Sequence, residues 1–111
     1  MARKTISKEI REKVYQKYDG HCAYCGKEIR IDEMQVDHIV SKQFGGQDKL
    51  DNYNPSCRAC NFYKSVNSLE VFRGMLKSLH TRIKQSFIVR LGIEYGIVTI
   101  KPFDGVFYYE N

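Results

Sequence analysis

Four cysteines stand in two matched pairs, Cys22-Ala-Tyr-Cys25 and Cys57-Arg-Ala-Cys60. A turn at Cys-x-x-Cys spacing brings two sulfurs to one ion, and Zn2+ takes four thiolates tetrahedrally. In a reducing compartment this reading comes before its alternatives, two disulfides or a redox-active pair. Gly26 follows the first pair, where a chain curling back on itself favours glycine. Four protein ligands leave no open position. Cys22, Cys25, Cys57 and Cys60 are therefore expected to hold a structural zinc that contributes folding free energy rather than chemistry. The connector of 31 residues, 26 to 56, is longer than a simple ribbon needs, so something is inserted between the pairs.

The insert carries residues of another kind. It includes Asp37-His38-Ile-Val, a Gly45-Gly46 loop and Leu-Asp-Asn52, and it runs into Cys57-Arg-Ala-Cys60-Asn61-Phe-Tyr-Lys64. Phosphodiester hydrolysis needs a base for the attacking water and a cation to neutralise charge on the phosphate and the leaving oxygen. A histidine titrates near neutrality, so His38 can accept that proton. Asp37 and Asn61 can supply two oxygen ligands, and such a shell, completed by water and phosphate oxygens, suits Mg2+ or Mn2+.

In the order and spacing of these elements, about residues 18–65 resemble the HNH, or ββα-metal, nucleases. The resemblance implies that Asp37 and Asn61 take a catalytic divalent ion, that His38 activates water, and that Asn52 braces the loop and the base. It also implies 5′-phosphate and 3′-hydroxyl products, and it extends to compact members found in phage genomes and mobile elements. Some members carry histidine where this chain has Asn61; the amide oxygen is harder, which disfavours tight Zn2+ or Ni2+ at the catalytic position. One tension follows from strand geometry. Neighbouring strand residues point to opposite faces, so Asp37 and His38 share a site only if the strand ends, bulges or twists there.

Helical geometry is kinder to Asn61 and Lys64, which fall within about 60° of each other, while Cys60 points about 100° away toward the zinc. Lys64 and Arg58 are candidate phosphate contacts. The zinc would thus fix the catalytic helix against the hairpin.

The flanks supply the framework. Ile10, Val14 and Tyr18 repeat every four residues, so a helix is expected over Ser7–Tyr18, capped by Ser7 and ended by Gly20. A longer helix is expected over about 68–90, with Leu69, Phe72, Leu76, Leu79 and Ile83 as an apolar stripe. Arg73, Lys77, His80 and Lys84 form a second stripe, of which Arg73, Lys77 and Lys84 are candidate contacts to a DNA backbone. The tail around Pro102 and Asp104-Gly105 reads as a small β-hairpin.

Charge sharpens the picture. Residues 1–17 carry six basic and two acidic side chains, 18–57 four and seven, 58–90 seven and one, and 91–111 one and three. Basic segments flank an acidic middle, as suits a polyanionic partner and a metal held by local carboxylates. No apolar run approaches the roughly 18 residues of a membrane span, and no secretory signal is read at the N-terminus, so a cytoplasmic protein is expected.

The expected architecture is α+β. It comprises a ββα-metal domain with structural zinc, an N-terminal helix, a long C-terminal helix and a small hairpin, all in one domain over 1–111 with its core at about 18–65. The expected function is Mg2+- or Mn2+-dependent endonucleolytic hydrolysis of duplex DNA. The rivals are a zinc-stabilised nucleic-acid-binding module without catalysis and a zinc-dependent interaction scaffold. Neither rival requires the set Asp37, His38, Asn52 and Asn61.

Overall fold

The computed structural model describes residues 6–111; Arg3 and Lys4 of the basic N-terminal segment lie outside them. Ser7 starts the first helix as a serine cap does, its hydroxyl accepting from the Ile10 N–H at 3.2 Å. Helix α1 spans Lys8–Gln16 and buries Val14. Two cations of its polar side are tied down. Arg11 donates to the carbonyls of Ile31 and Met34, and Lys17 Nζ donates to the carbonyl of Tyr53 at 2.6 Å.

After α1 the chain turns through Gly20 into the first cysteine knuckle, where the Gly26 N–H donates to the Cys22 carbonyl. Gly26 has φ +81°, and a Cβ there would sit 2.5 Å from the Tyr108 ring, so both backbone and space demand glycine. Strand β1, Gln35–His38, pairs antiparallel with strand β2, Tyr53–Ser56, in the register Asp37 opposite Asn54 and His38 opposite Tyr53. The connection between them contains two 3-10 turns, Lys42–Phe44 and Leu50–Asn52. Its backbone folds tightly enough that a Cβ on Gly46 would meet the Val40 carbonyl oxygen at 1.7 Å.

Helix α2, Arg58–Lys64, follows β2 directly, with Cys57 as its cap: the sulfur accepts from the Cys60 N–H at 3.4 Å. The chain end returns to the same unit. The N–H groups of Tyr108 and Tyr109 donate to the carbonyls of Tyr24 and Ala23 at 3.0 and 2.9 Å, and Tyr24 packs edge-on against Phe107. Among the described residues, 6–69 and 107–111 make one compact unit, and residues 70–106 make a second.

The second unit departs from the expected long helix. Residues 69–94 form three segments: α3 (Leu69–Lys77), α4 (Leu79–Ile83) and α5 (Phe87–Glu94). The Met75 carbonyl accepts from the Ser78 hydroxyl at 3.1 Å and from the Arg82 guanidinium at 2.7 Å, side-chain bonds that compete with helix continuation at the first break. At the second, Ser86 is extended, with ψ 126°. The expected C-terminal hairpin does not form either. Among the described residues the only named strands are β1 and β2, and the tail instead makes an Asx turn, Val106 N–H to Asp104, before the 3-10 turn Tyr108–Glu110. No helix among the described residues is long and apolar enough to cross a membrane.

Candidate active site and metal centre

The ligand sulfurs of Cys22, Cys25, Cys57 and Cys60 all lie within 4.8 Å of one another, and none is in a disulfide. A tetrahedral zinc with bonds of about 2.3 Å implies sulfur–sulfur edges of about 3.8 Å. Cys25 and Cys57 stand at 3.8 Å. The electrostatics agree with the geometry. The hydrogen bond from Cys60 holds the Cys22 thiol down at about 4, while burial pushes Cys25 up to about 11. Its partnership with Cys22, and then burial, push Cys60 far up. Crowded sulfurs with no cation thus resist all ionising together. A divalent metal removes that conflict, because it stabilises every thiolate at once. The donor set and spacing fit zinc.

This centre joins the turn before β1 to the first residues of α2, and the far end of α2 then reaches β1. Lys64 Nζ donates to Asp37 Oδ1 at 3.3 Å and to the His38 carbonyl at 3.0 Å. Lys64 was expected to contact phosphate. It is instead 0% exposed and ion-paired with Asp37, itself 3% exposed. Asp37 also accepts from the Tyr24 hydroxyl at 2.5 Å. Burial pushes the Asp37 carboxyl above its ordinary range, against the pull of the Tyr24 and Lys64 bonds.

The Lys64 ammonium faces three oxygens, the two of the Asp37 carboxylate and the His38 carbonyl. Across the hairpin from Asp37, the buried Asn54 Oδ1 has no hydrogen-bond partner among the described residues. Carboxylate and amide oxygens are hard donors of the kind that Mg2+ or Mn2+ takes. A metal on Asp37 competes with Lys64 for the same oxygens.

His38 ends β1 and its ring takes the other direction, edge-on to Tyr53 at 5.1 Å, with Nε2 at 2.8 Å from Asp48 Oδ1. The adjacent Asp37 and His38 thus take different partners, while β1 ends at His38, the condition under which the two can serve one site. Asn52 clamps the connecting loop: its Oδ1 accepts from the Val40 N–H at 2.9 Å, and its Nδ2 donates to the carbonyls of Val40 and Gln47, each at 3.0 Å. Asn61 lies one turn before Lys64 on α2, on the same side.

Among the other candidates, Arg58, Lys77 and Lys84 are exposed. Arg73 is not free: it pairs with Glu70 and donates to the Gly105 carbonyl at 2.7 Å, which leaves its side chain 16% exposed. Sequence reasoning missed Tyr24, Tyr53 and Asp48. Tyr24 carried a faint signal, an aromatic inside the first knuckle, and Asp48 carried none beyond being acidic.

Two comparisons bear on this arrangement. Residues 22–66 match the HNH endonuclease family. Among solved structures, the chain is similar to part of the Type II-C Cas9 enzyme from Actinomyces naeslundii, with a TM-score of 0.57 and 21% identity. That likeness covers 86% of this chain and 13% of the other, and it speaks for the fold. No curated protein matches the chain.

Proposed function

With residues 22–66 an HNH domain, we propose that the protein is a metal-dependent endonuclease acting on duplex DNA. The family match supports a nuclease in general. The observation that carries the finer reading is the reach of α2. Lys64 touches both the Asp37 side chain and the His38 backbone, which ties the helix that also bears Asn61 to the Asp-His end of β1. The four-cysteine centre holds the start of that helix.

In this reading His38 takes the proton of the attacking water, and its ring is exposed enough to meet a substrate. Asn52 holds the loop behind it by the three bonds given above. Asp37 and Asn61 would hold one Mg2+ or Mn2+, which when bound neutralises charge building on the phosphate and the leaving oxygen. Arg58, Lys77 and Lys84 supply exposed cations for the DNA backbone, whereas Lys64 and Arg73 serve the fold.

The test is supercoiled plasmid incubated with zinc-loaded protein and Mg2+ or Mn2+. Nicked or linear DNA from the wild type, and retained binding without cutting by His38→Ala, is the expected result. Equal cutting by both proteins removes the proposed base. Binding without cutting by the wild type favours the non-catalytic module.

A further inference from the structure

The His38 ring has a hydrogen-bond partner that the resemblance did not supply, Asp48, ten residues on, in the loop between β1 and β2. Its geometry is constrained at every point. Asp48 Oδ1 lies 2.8 Å from His38 Nε2, and Asp48 Oδ2 accepts from Lys42 Nζ at 2.9 Å. Tyr53 reaches toward Oδ1 with its hydroxyl at 3.5 Å while its ring abuts the imidazole. The residue before Asp48, Gln47, has its carbonyl held by Asn52. The loop is therefore built to keep one carboxylate against one ring nitrogen.

An ionised carboxylate only accepts hydrogen bonds, so the nitrogen facing it must carry the hydrogen. The bonds from His38, and next from Lys42, hold the Asp48 carboxyl at about 2, below its usual 3.8, so it is ionised at neutral pH. In the neutral ring Nε2 is then the donor and Nδ1 carries the lone pair; among the described residues no donor occupies Nδ1.

We propose that Asp48 is the positioning residue of the base: it fixes the tautomer and orientation of His38 so that Nδ1 takes the proton from the attacking water. The balance is simple. The water O–H bond breaks and its proton moves to Nδ1; the oxygen forms the new bond to phosphorus as the bond from phosphorus to the leaving sugar oxygen breaks, and that oxygen departs with the electron pair and takes a proton from solvent. The resulting imidazolium, protonated at both nitrogens, is steadied by the negative charge of Asp48. Asn52 then has a defined task, since the Gln47 carbonyl it holds sets where Asp48 stands. Asp37, its chain neighbour, spends its hydrogen bonds on Tyr24 and Lys64, so the hydrogen bond that orients the ring comes from Asp48. This inference rests on the nuclease reading, and its test separates the two.

Asp48→Ala and Asp48→Asn are compared with wild type in three measurements: single-turnover plasmid cleavage, duplex binding in Ca2+, and the His38 ring 1H–15N spectrum. Asp48→Ala is expected to lose about 10- to 100-fold in cleavage rate. DNA binding should be no weaker, because a negative charge has been removed, and the hydrogen-bonded Hε2 resonance of His38 should disappear. Asp48→Asn, which can still accept from Nε2 but has no charge, should lie between. If Asp48→Ala cuts like the wild type, the inference is overturned while the nuclease reading stands. A slower Asp48→Ala that keeps the Hε2 resonance overturns it also, since the carboxylate then acts elsewhere. A wild type that does not cut removes both.

Discussion

The two compact units of this chain solve the problem of a small core in opposite ways. The unit of residues 6–69 and 107–111 buries little aliphatic bulk, and it spends cysteines, a buried ion pair and side-chain bonds to backbone instead. The unit of residues 70–106 is helical and leaves Phe87, Ile88, Leu91, Tyr95 and Ile97 exposed, with Phe72 its one buried large apolar residue. Domains with little core generally need a metal, disulfides or a partner to hold a fixed shape. The first unit has such a device, and its cysteines stand where they also fix the candidate site. Rigidity and chemistry coincide there.

The largest effect should come from the zinc. Structural zinc binding is worth about 10–16 kcal/mol in small peptides at neutral pH. Removing the ion with a strong chelator, or replacing Cys60 with serine, is expected to abolish zinc binding and melt the first unit. Loss of hydrogen-exchange protection in β1 and β2, with α3 protection little changed, is the result that sharpens the contrast. Equal loss in both units breaks it.

Next is His38→Ala, expected to cost about 10²- to 10⁴-fold in cleavage, the ordinary worth of a general base, with little change in melting temperature. Lys64→Met follows. Breaking one side of a buried ion pair costs about 3–5 kcal/mol, because Asp37 is left buried with the Tyr24 hydroxyl but no cation beside it. Added Mg2+ or Mn2+ should restore part of the lost melting temperature in Lys64→Met and do less for the wild type. If the ion helps both equally, the oxygens around Lys64 are not the divalent position.

Asn52→Ala should loosen the connecting loop by about 1–2 kcal/mol, the worth of one or two net hydrogen bonds, seen as faster exchange at the Val40 amide. The smallest effect belongs to the second unit. Phe87→Ser on the exposed side of α5 should change stability by no more than about 0.5 kcal/mol in thermal unfolding.

How much of this was legible follows from which interactions are local. Ser7 caps α1 because a cap needs only its own next turn, and the cysteine pairs announce their ion because each pair is four residues long. Asp37, His38 and Asn52 were readable as a pattern, yet their directions were not. Strand alternation raised the question, and the pairing with Tyr24, Lys64 and Asp48 answered it. Lys64 was misjudged because helical spacing gives a face and not a depth, and lysine is rarely buried without a partner in view. The helix over 68–90 failed at Met75, whose carbonyl is taken by side chains three and seven residues on. The tail alternates like a strand, but Pro102 offers no N–H, and the amides of Tyr108 and Tyr109 find carbonyls in the first knuckle.

The central claim is that a sulfur-bound ion holds α2 where an imidazole at the end of β1 can activate water on a phosphodiester. It is met most directly by single-turnover cleavage of labelled duplex DNA at equal DNA occupancy, by wild-type protein and by His38→Ala, both zinc-loaded and supplied with Mg2+ or Mn2+. The account predicts strand scission that needs the added ion and falls at least about 100-fold in the variant. Intact DNA with the wild type, or scission indifferent to His38, contradicts it.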